Sequence, residues 1–489
     1  MNANIRRLGV VLVALFVLLV FQLNYLQVIR SDHLANHPGN TRSSVRDFGE
    51  PRGTIRTADG LVVAESFKNP DTNSDYAYLR RYPRGPLYGH ITGFFSYNFG
   101  STGIERAFSS VLAGRKVAPT IKGMKDLLAS KVVTGNVELT IDHRIQSVAA
   151  QALRKRKGSI VVLDPRTGAI LASVSYPSYD PNPLSSPDLT NAQNAYARLN
   201  ADKDRPLLAR AYRERYAPGS TFKAITAATG LTTEVVGLTK PVYPVLSALP
   251  LRYTTRPLRN FGGGSCGGDL VSVFVVSCNT SFAQLALDLG AQRLYDGAKS
   301  FGFDRDVPLD VSPGAVRSFF PAPEFFVKND PQLAQSGIGQ GNVSATTLQM
   351  ALVAAAVANN GVIEQAHFMK EVRSSDGELV VGESRNELTR AMTDKVAAEI
   401  SSMMQEVVRR GTGTRAAIPG VTVAAKTGTA QTGLGTAHAW TIAFAPAEAP
   451  RVAIAVLIEN QPEVSTLTGG KIASPVARQV LEAALAATS

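Results

Sequence analysis

The chain has 489 residues, 44% of them hydrophobic and 18% charged, with 51 Lys and Arg against 39 Asp and Glu for a formal net charge of +12. That composition excludes a disordered or low-complexity protein and allows two or three domains around a sizeable core. The positive balance suits a neighbour of anionic lipid or polymer; nucleic acid is set aside, because no zinc-finger spacing, RNA-binding signature or long basic run accompanies it, and Arg154-Lys-Arg-Lys157 reads as a solvated helix face.

Arg6 and Arg7 precede an apolar run from Leu8 to Phe21 that continues less purely to Ile29. Counted to Ile29 the run is long enough to span a bilayer at about 1.5 Å per residue, and the arginines put the N-terminus inside. A cleaved signal peptide is the alternative. No Ala-x-Ala-like site follows promptly, so an uncleaved anchor in the cell membrane is expected, with the remainder of the chain extracytoplasmic. In an exported chain Cys266 and Cys278 are an even pair at short spacing, which points to a disulfide; a buried free thiol is the alternative. With no histidine near them they lack a tetrahedral set, so no metal is expected.

From Ser31 to about Asn136 the chain is rich in arginine, glycine and tyrosine. It contains Arg52-Gly-Thr-Ile followed by a short strand at Leu61-Val-Val-Ala, and later Gly100-Ser-Thr-Gly-Ile-Glu-Arg-Ala-Phe108, neither with an obvious chemical purpose. This reads as a small β-rich pedestal. Glu138-Leu-Thr-Ile-Asp142 reads as a strand whose Asp142 caps a helix running on to about Arg156. Gly158–Asp164 and Ala169–Ser175 read as two strands joined by a turn at Pro165–Gly168, a hairpin with a buried face. From about Ala192 to Gly361 the expectation is mostly helix broken by loops. Val421–Ala430, His438–Ala445 and Arg451–Ile458 then form an antiparallel meander, closed by a helix from Pro475 to Ala487. The expected division is 1–29, 30–137 and 138–489.

Three short motifs carry chemistry. Ser220-Thr-Phe-Lys223 follows Pro218-Gly219 and opens an Ala-rich helix, so the hydroxyl and the amine share a face. Such a pair is what an activated serine nucleophile needs, with burial lowering the amine's pKa; a capping serine beside a solvated lysine is the bland alternative. Ser277-Cys-Asn279 offers a second hydroxyl and an amide from a loop before a helix beginning near Thr280. Lys426-Thr-Gly-Thr429 places a lysine and two hydroxyls on a strand where Gly428 admits a close backbone approach. Strand alternation puts Thr427 and Thr429 on one face and Lys426 on the other.

Each motif alone is common; the ordered set is not. The chain resembles the class B penicillin-binding proteins, peptidoglycan transpeptidases with one membrane anchor, and among them the actinobacterial members. The resemblance covers nearly the whole chain, through Arg52-Gly-Thr-Ile, Leu139-Thr-Ile-Asp142, Pro177-Ser-Tyr-Asp-Pro-Asn182, Tyr216–Lys223, Asn279-Thr-Ser-Phe, Ile338-Gly-Gln-Gly341, Lys426–Ala430, and Trp440 with Ala445-Pro446. It implies an α+β transpeptidase fold, an antiparallel sheet flanked by helices with an all-helical region beside it. It implies two-step acyl transfer without metal or cofactor: Ser220 as nucleophile, Lys223 as its base, Ser277 as proton relay, and Asn279 on the donor amide. Lys426, Thr427 and Thr429 would hold the terminal carboxylate, and the backbone N–H groups of Ser220 and Thr429 would form the oxyanion hole. Lys426 enters on the resemblance alone, since strand alternation points it away. The implied partners are D-Ala-D-Ala stem peptides, β-lactams, a membrane glycosyltransferase and proteins of division or elongation.

A β-lactamase shares the motifs but uses a deacylating carboxylate, and no Glu-x-x-Leu-Asn follows Ser277; Glu324 to Asn329 comes nearest with the wrong spacing. The pedestal is too short for a glycosyltransferase domain. A D-alanine carboxypeptidase differs only in using water as acceptor. The non-enzymatic readings are a β-lactam sensor, opposed by the single span, and a dead division scaffold, opposed by the intact motifs.

Overall fold

The computed structural model describes residues 3–30, 48–74, 76–115, 134–433, 435–462 and 466–488; the parts of the expected pedestal at 31–47 and 116–133 lie outside them. Helix α1 (Ala3–Asn24) runs into a π-helical turn at Tyr25–Ile29. The stretch Ala3–Gln27 is long and apolar enough to cross a membrane, and none of the span's most apolar window is buried against the protein.

The pedestal strands are β1 (Ile55–Arg56), β2 (Val62–Lys68), β3 (Tyr78–Arg81) and β4 (Gly135–Leu139). The two pedestal motifs without an evident purpose meet in a buried ion cluster. Glu105 accepts from Arg52 Nε at 2.7 Å and from Arg80 Nε at 2.6 Å, and all three side chains are shielded from solvent. Arg80 also donates to the Gly53 carbonyl at 2.8 Å, and Arg52 stacks 4.2 Å over the Phe95 ring. Burial pushes the Glu105 carboxyl up, but the two guanidinium groups outweigh it and hold its pKa below the usual value. The arginine of one motif and the glutamate of the other are therefore mutual counter-ions.

Asp142 caps α2 (His143–Leu153), accepting from the N–H groups of Arg144 and Ile145. The helix ends at Leu153, so Arg154-Lys-Arg-Lys157 lies beyond it and not on its face; Arg154 and Lys155 turn the chain with positive φ. β5 (Gly158–Leu163) and β6 (Ile170–Tyr176) follow as an antiparallel hairpin. The helical region holds α3 (Lys223–Thr232), α4 (Leu270–Val275), α5 (Asn279–Ser300) and α6 (Thr347–Ala358). It is less uniformly helical than expected: short strand pairs at Ala248–Leu249 with Leu258–Arg259, and at Tyr243–Leu246 with Cys266–Gly268, interrupt it.

β7 (Met369–Ser374) and β8 (Leu379–Gly382) join the pedestal sheet, whose order is β8-β7-β4-β1-β2-β3. The division expected at residue 137 thus falls inside β4, which pairs with β1 on one side and with β7 on the other.

After α7 (Asp394–Arg410), the strands β9 (Ala424–Gln431), β10 (Ala437–Ala445) and β11 (Val452–Gln461) form the meander, and α8 (Ser474–Ala487) closes the chain. β11 pairs with β5, joining meander and hairpin into one antiparallel sheet of order β9-β10-β11-β5-β6. Alternation along the strands divides their side chains between two cores. Ile160, Val162, Ile454 and Val456 pack with Ile145 and Leu153 of α2 and with Val480 and Leu481 of α8. Val161, Leu163, Ala455 and Leu457 pack with the helical region, where every residue of α6 is buried. A helix this apolar, whose polar residues Thr347 and Gln349 are bonded to Ser159 and the Phe301 carbonyl, needs protein on every side, which the sheet and its neighbouring helices provide.

Candidate active site

β9 is an edge strand, and its free edge faces the helical region. Against it lies the turn that carries Ser220. Residues Gly219–Phe222 form a 3-10 turn that leads into α3 at Lys223, so Ser220 stands just before the α-helix and not within its first turn. Three bonds hold the approach: Trp440 Nε1 to the Ala217 carbonyl at 3.0 Å, Gly219 N to the Gly339 carbonyl at 2.8 Å, and Thr221 Oγ1 to the Pro218 carbonyl at 2.7 Å. Gly428 is needed because this turn presses on the strand. A Cβ there would stand 2.9 Å from the Pro218 carbonyl oxygen, closer than Cβ atoms are found, and a tight 3.1 Å from the Thr221 nitrogen.

Ser277 sits in the loop between α4 and α5 with φ +60°, an uncommon left-handed conformation for a non-glycine residue. Asn260, which the motifs do not reveal, clamps this loop. Its Oδ1 accepts from the N–H groups of Asn279 at 3.0 Å and Thr280 at 2.9 Å, while its Nδ2 donates to the carbonyls of Leu246 and Gly264. A disulfide joins Cys266 to Cys278 and ties the glycine-rich segment to the same loop.

Two lysines lie fully buried beneath the cleft. Lys223 Nζ donates to the Ser277 carbonyl at 2.7 Å, to Asn279 Oδ1 at 2.7 Å and, more weakly, to Ser277 Oγ at 3.3 Å. The Ser220 hydroxyl is not among its partners. Burial, with the Lys426 charge adding to it, pushes the Lys223 pKa well below that of an ordinary lysine. In the neutral form the two short bonds to oxygen use both N–H groups, so the 3.3 Å contact to Ser277 Oγ falls on the lone pair, where a proton can be taken up.

Lys426 Nζ donates to Ser277 Oγ at 2.9 Å and to the Thr427 carbonyl at 3.1 Å, and burial lowers its pKa to about 7. Its side chain leaves the strand on the face opposite Thr427, as alternation requires, and that face, shared with Ala424, Gly428 and Ala430, packs on the helical region from which the Ser277 loop projects. Thr427 Oγ1 pairs with Thr412 Oγ1 at 2.6 Å, and Thr429 Oγ1 accepts from the Gly469 N–H at 3.3 Å. Ser220, Ser277, Asn279 and Thr427–Thr429 all line one cleft of about 1200 Å³. A half-buried hydroxyl lining the cleft, a second hydroxyl beside two depressed amines, and an amide next to them form an arrangement suited to serine acyl transfer.

Residues 158–482 match the penicillin-binding protein transpeptidase domain, and residues 52–137 match the penicillin-binding protein A dimerisation domain. The chain belongs to the penicillin-binding protein transpeptidases. It is 38% identical to the peptidoglycan D,D-transpeptidase PbpA of Mycobacterium tuberculosis over 99% of both chains, and 37% identical to that of Mycolicibacterium smegmatis with the same coverage. Solved structures of penicillin-binding protein A from M. tuberculosis, as ceftriaxone and imipenem acyl-enzyme complexes, superpose with a TM-score of 0.82 at 36% identity, covering 90% of this chain and 100% of theirs.

In this transpeptidase-family chain every residue singled out in the three motifs lies in or directly beneath the cleft. What the motifs missed is the support. Asn260, Thr412 and Gly469 carry no local signature, and each meets its motif only through tertiary packing. Glu459 is another. Its carboxylate accepts from Arg210 Nε at 2.9 Å and from the Tyr216 hydroxyl at 2.7 Å, anchoring the segment that leads to Ser220.

Proposed function

We propose that this chain is a peptidoglycan D,D-transpeptidase that works through an acyl-enzyme on Ser220 and is covalently trapped there by β-lactams. The observation that carries the reading is the buried, depressed amine of Lys223, held by Ser277 and Asn279 beneath the cleft that Ser220 lines. Ser220 Oγ attacks the carbonyl of the penultimate D-alanine of a donor stem peptide, and its proton passes to Lys223. The tetrahedral oxyanion is held by the backbone N–H groups of Ser220 and Thr429, a contribution of about 3–4 kcal/mol per donor in comparable enzymes. The C–N bond then breaks, and the leaving amine of D-alanine takes up a proton through Ser277. An acceptor amine attacks the resulting ester, loses its proton to the same relay, and releases Ser220. Asn279 holds the donor amide, and Lys426, Thr427 and Thr429 hold its terminal carboxylate.

In this reading the chain is anchored by Ala3–Gln27 with its N-terminus in the cytoplasm, as Arg6 and Arg7 favour, and the cleft faces the wall. A membrane glycosyltransferase and proteins of division or elongation are the implied partners. Fluorescent penicillin is the first test: label on the wild type, lost in Ser220→Ala, supports the reading, and label that survives Ser220→Ala ends it. Incubation with stem peptide and an acceptor amine then separates cross-linking from hydrolysis by the products formed.

A further inference from the structure

We infer that Arg259 forms an anionic subsite on the donor side of the cleft, reading a carboxylate that lies N-terminal to the scissile bond; this rests on the acyl-transfer function proposed above. Among the described residues lining the cleft, Arg259 is the one with a formal charge, and no carboxylate lines it. Its guanidinium is exposed and makes no hydrogen bond, ion pair or ring contact within the described residues. Other exposed arginines such as Arg256 and Arg293 also hold no carboxylate among the described residues, but they do not line the cleft. Arg252, a few residues away, is paired with Asp330 at 2.8 Å, and the exposed arginines Arg166, Arg317 and Arg373 each hold a carboxylate.

The backbone of Arg259, by contrast, is fixed. Leu258–Arg259 pairs with Ala248–Leu249, the Arg259 carbonyl accepts from Asn279 Nδ2 at 3.3 Å, and the next residue is the Asn260 clamp. An arginine held there is adjacent to the side chain proposed to bind the donor amide. Groups beyond that amide belong to the N-terminal part of the donor, so Arg259 meets a part of the ligand that Lys426, Thr427 and Thr429 do not. The two buried amines beneath the cleft add no negative charge to oppose an incoming anion. A planar fork of donors with no protein partner is chemically matched to a carboxylate.

The test uses the full chain and two penicillins that differ by one group: benzylpenicillin and its α-carboxy derivative, which adds a carboxylate to the side chain. Second-order acylation rate constants are measured by competition with fluorescent penicillin for wild type, Arg259→Ala and Arg259→Gln, with Arg256→Ala as a nearby exposed cation that does not line the cleft. The inference expects the ratio of the α-carboxy compound to benzylpenicillin to fall about fivefold in both Arg259 variants, the upper range for an exposed charge pair, and to hold in Arg256→Ala. In the wild type alone, added salt should slow the α-carboxy compound more than benzylpenicillin. An unchanged ratio in both variants, or equal salt sensitivity of the two compounds, overturns it. A wild type that benzylpenicillin does not acylate at all sinks the underlying function instead, so the two failures are distinct.

Discussion

Lys426 donates to the Ser277 hydroxyl across 2.9 Å, although one residue lies on the edge of a sheet and the other in a loop between helices, 149 positions apart. That contact turns two separate motifs into one proton-handling unit. Lys223 approaches the same hydroxyl from the other side at 3.3 Å. Two ammonium ions cannot share so small and dry a space without cost, and burial lowers the pKa of both amines. In the proposed function Lys223, whose pKa burial pushes well below that of an ordinary lysine, serves as the base, and Lys426, lowered to about 7, holds the ligand carboxylate.

The division of labour predicts a bell-shaped pH profile for acylation by benzylpenicillin. Below the depressed pKa of Lys223 the base is protonated and the rate falls. Above about 7 the free enzyme loses the Lys426 ammonium that would hold the ligand carboxylate, and the rate falls again. Lys426→Arg, charged at every accessible pH, should remove the alkaline limb even if it lowers the maximum, whereas Lys223→Arg should abolish acylation. Stopped-flow measurement of the second-order rate constant reads both, and an alkaline limb unchanged in Lys426→Arg would show that Lys426 does not set it.

Gly428→Ala tests the close approach between strand β9 and the Ser220 turn. The added Cβ meets backbone on the turn, at the Pro218 carbonyl and the Thr221 nitrogen, and backbone cannot rotate away as a side chain can. The expected result is a folded protein, destabilised by about 1–3 kcal/mol as overpacked sites are, with Ser220 displaced and acylation slowed at least about tenfold. Denaturant unfolding and penicillin labelling measure the two effects separately. Wild-type acylation in this variant would show that the turn tolerates the shift.

These two tests also mark how far the sequence could be read. Ser220, Lys223, Ser277, Asn279 and Lys426 were legible because their spacing in the chain carries a pattern, and the meander was legible because its strands are long enough to alternate. Lys426 was the partial case. Alternation pointed it away from Thr427, correctly, but the sequence does not show that this face meets the helical region carrying Ser277, so both faces of the motif border the cleft. The strands β7 and β8 join the pedestal sheet across more than two hundred residues, where Lys370 meets Glu138 at 2.7 Å, and nothing local announces such pairing. The strands of two to four residues around Ala248 and Leu258 are too short to show a period. Asn260 and Glu459 look like any polar residue in the chain until the fold buries them against backbone and charge.

The pedestal's ion cluster should matter for stability alone. Removing Glu105 leaves two arginines buried side by side, so Glu105→Ala is expected to cost about 3–5 kcal/mol, and Glu105→Gln nearly as much, since the amide cannot neutralise them. Molecules that remain folded should acylate at the wild-type rate per active site, because the cluster does not touch the cleft. Thermal unfolding combined with active-site titration separates the two. A folded Glu105→Gln protein with slowed acylation would show instead that the pedestal governs the site.

The final prediction concerns the anchor behind Ser220. Tyr216 begins the segment that leads to the nucleophile, and its hydroxyl donates to Glu459 at 2.7 Å while Arg210 holds the same carboxylate oxygen at 2.9 Å. Tyr216→Phe keeps the ring and removes only the bond to a charged acceptor, a loss of about 1.5–3 kcal/mol. Glu459→Ala removes the counter-ion of a buried arginine and is expected to cost more, about 3–5 kcal/mol. Because Trp440 Nε1 still holds the Ala217 carbonyl, Tyr216→Phe should fold, yet with the Ser220 turn less firmly placed. Its acylation step should slow while noncovalent affinity for penicillin stays close to wild type, a split that saturation kinetics resolves. Equal acylation rates in Tyr216→Phe and wild type would mean that Trp440 and the bond from Gly219 to Gly339 fix the nucleophile without help from Glu459.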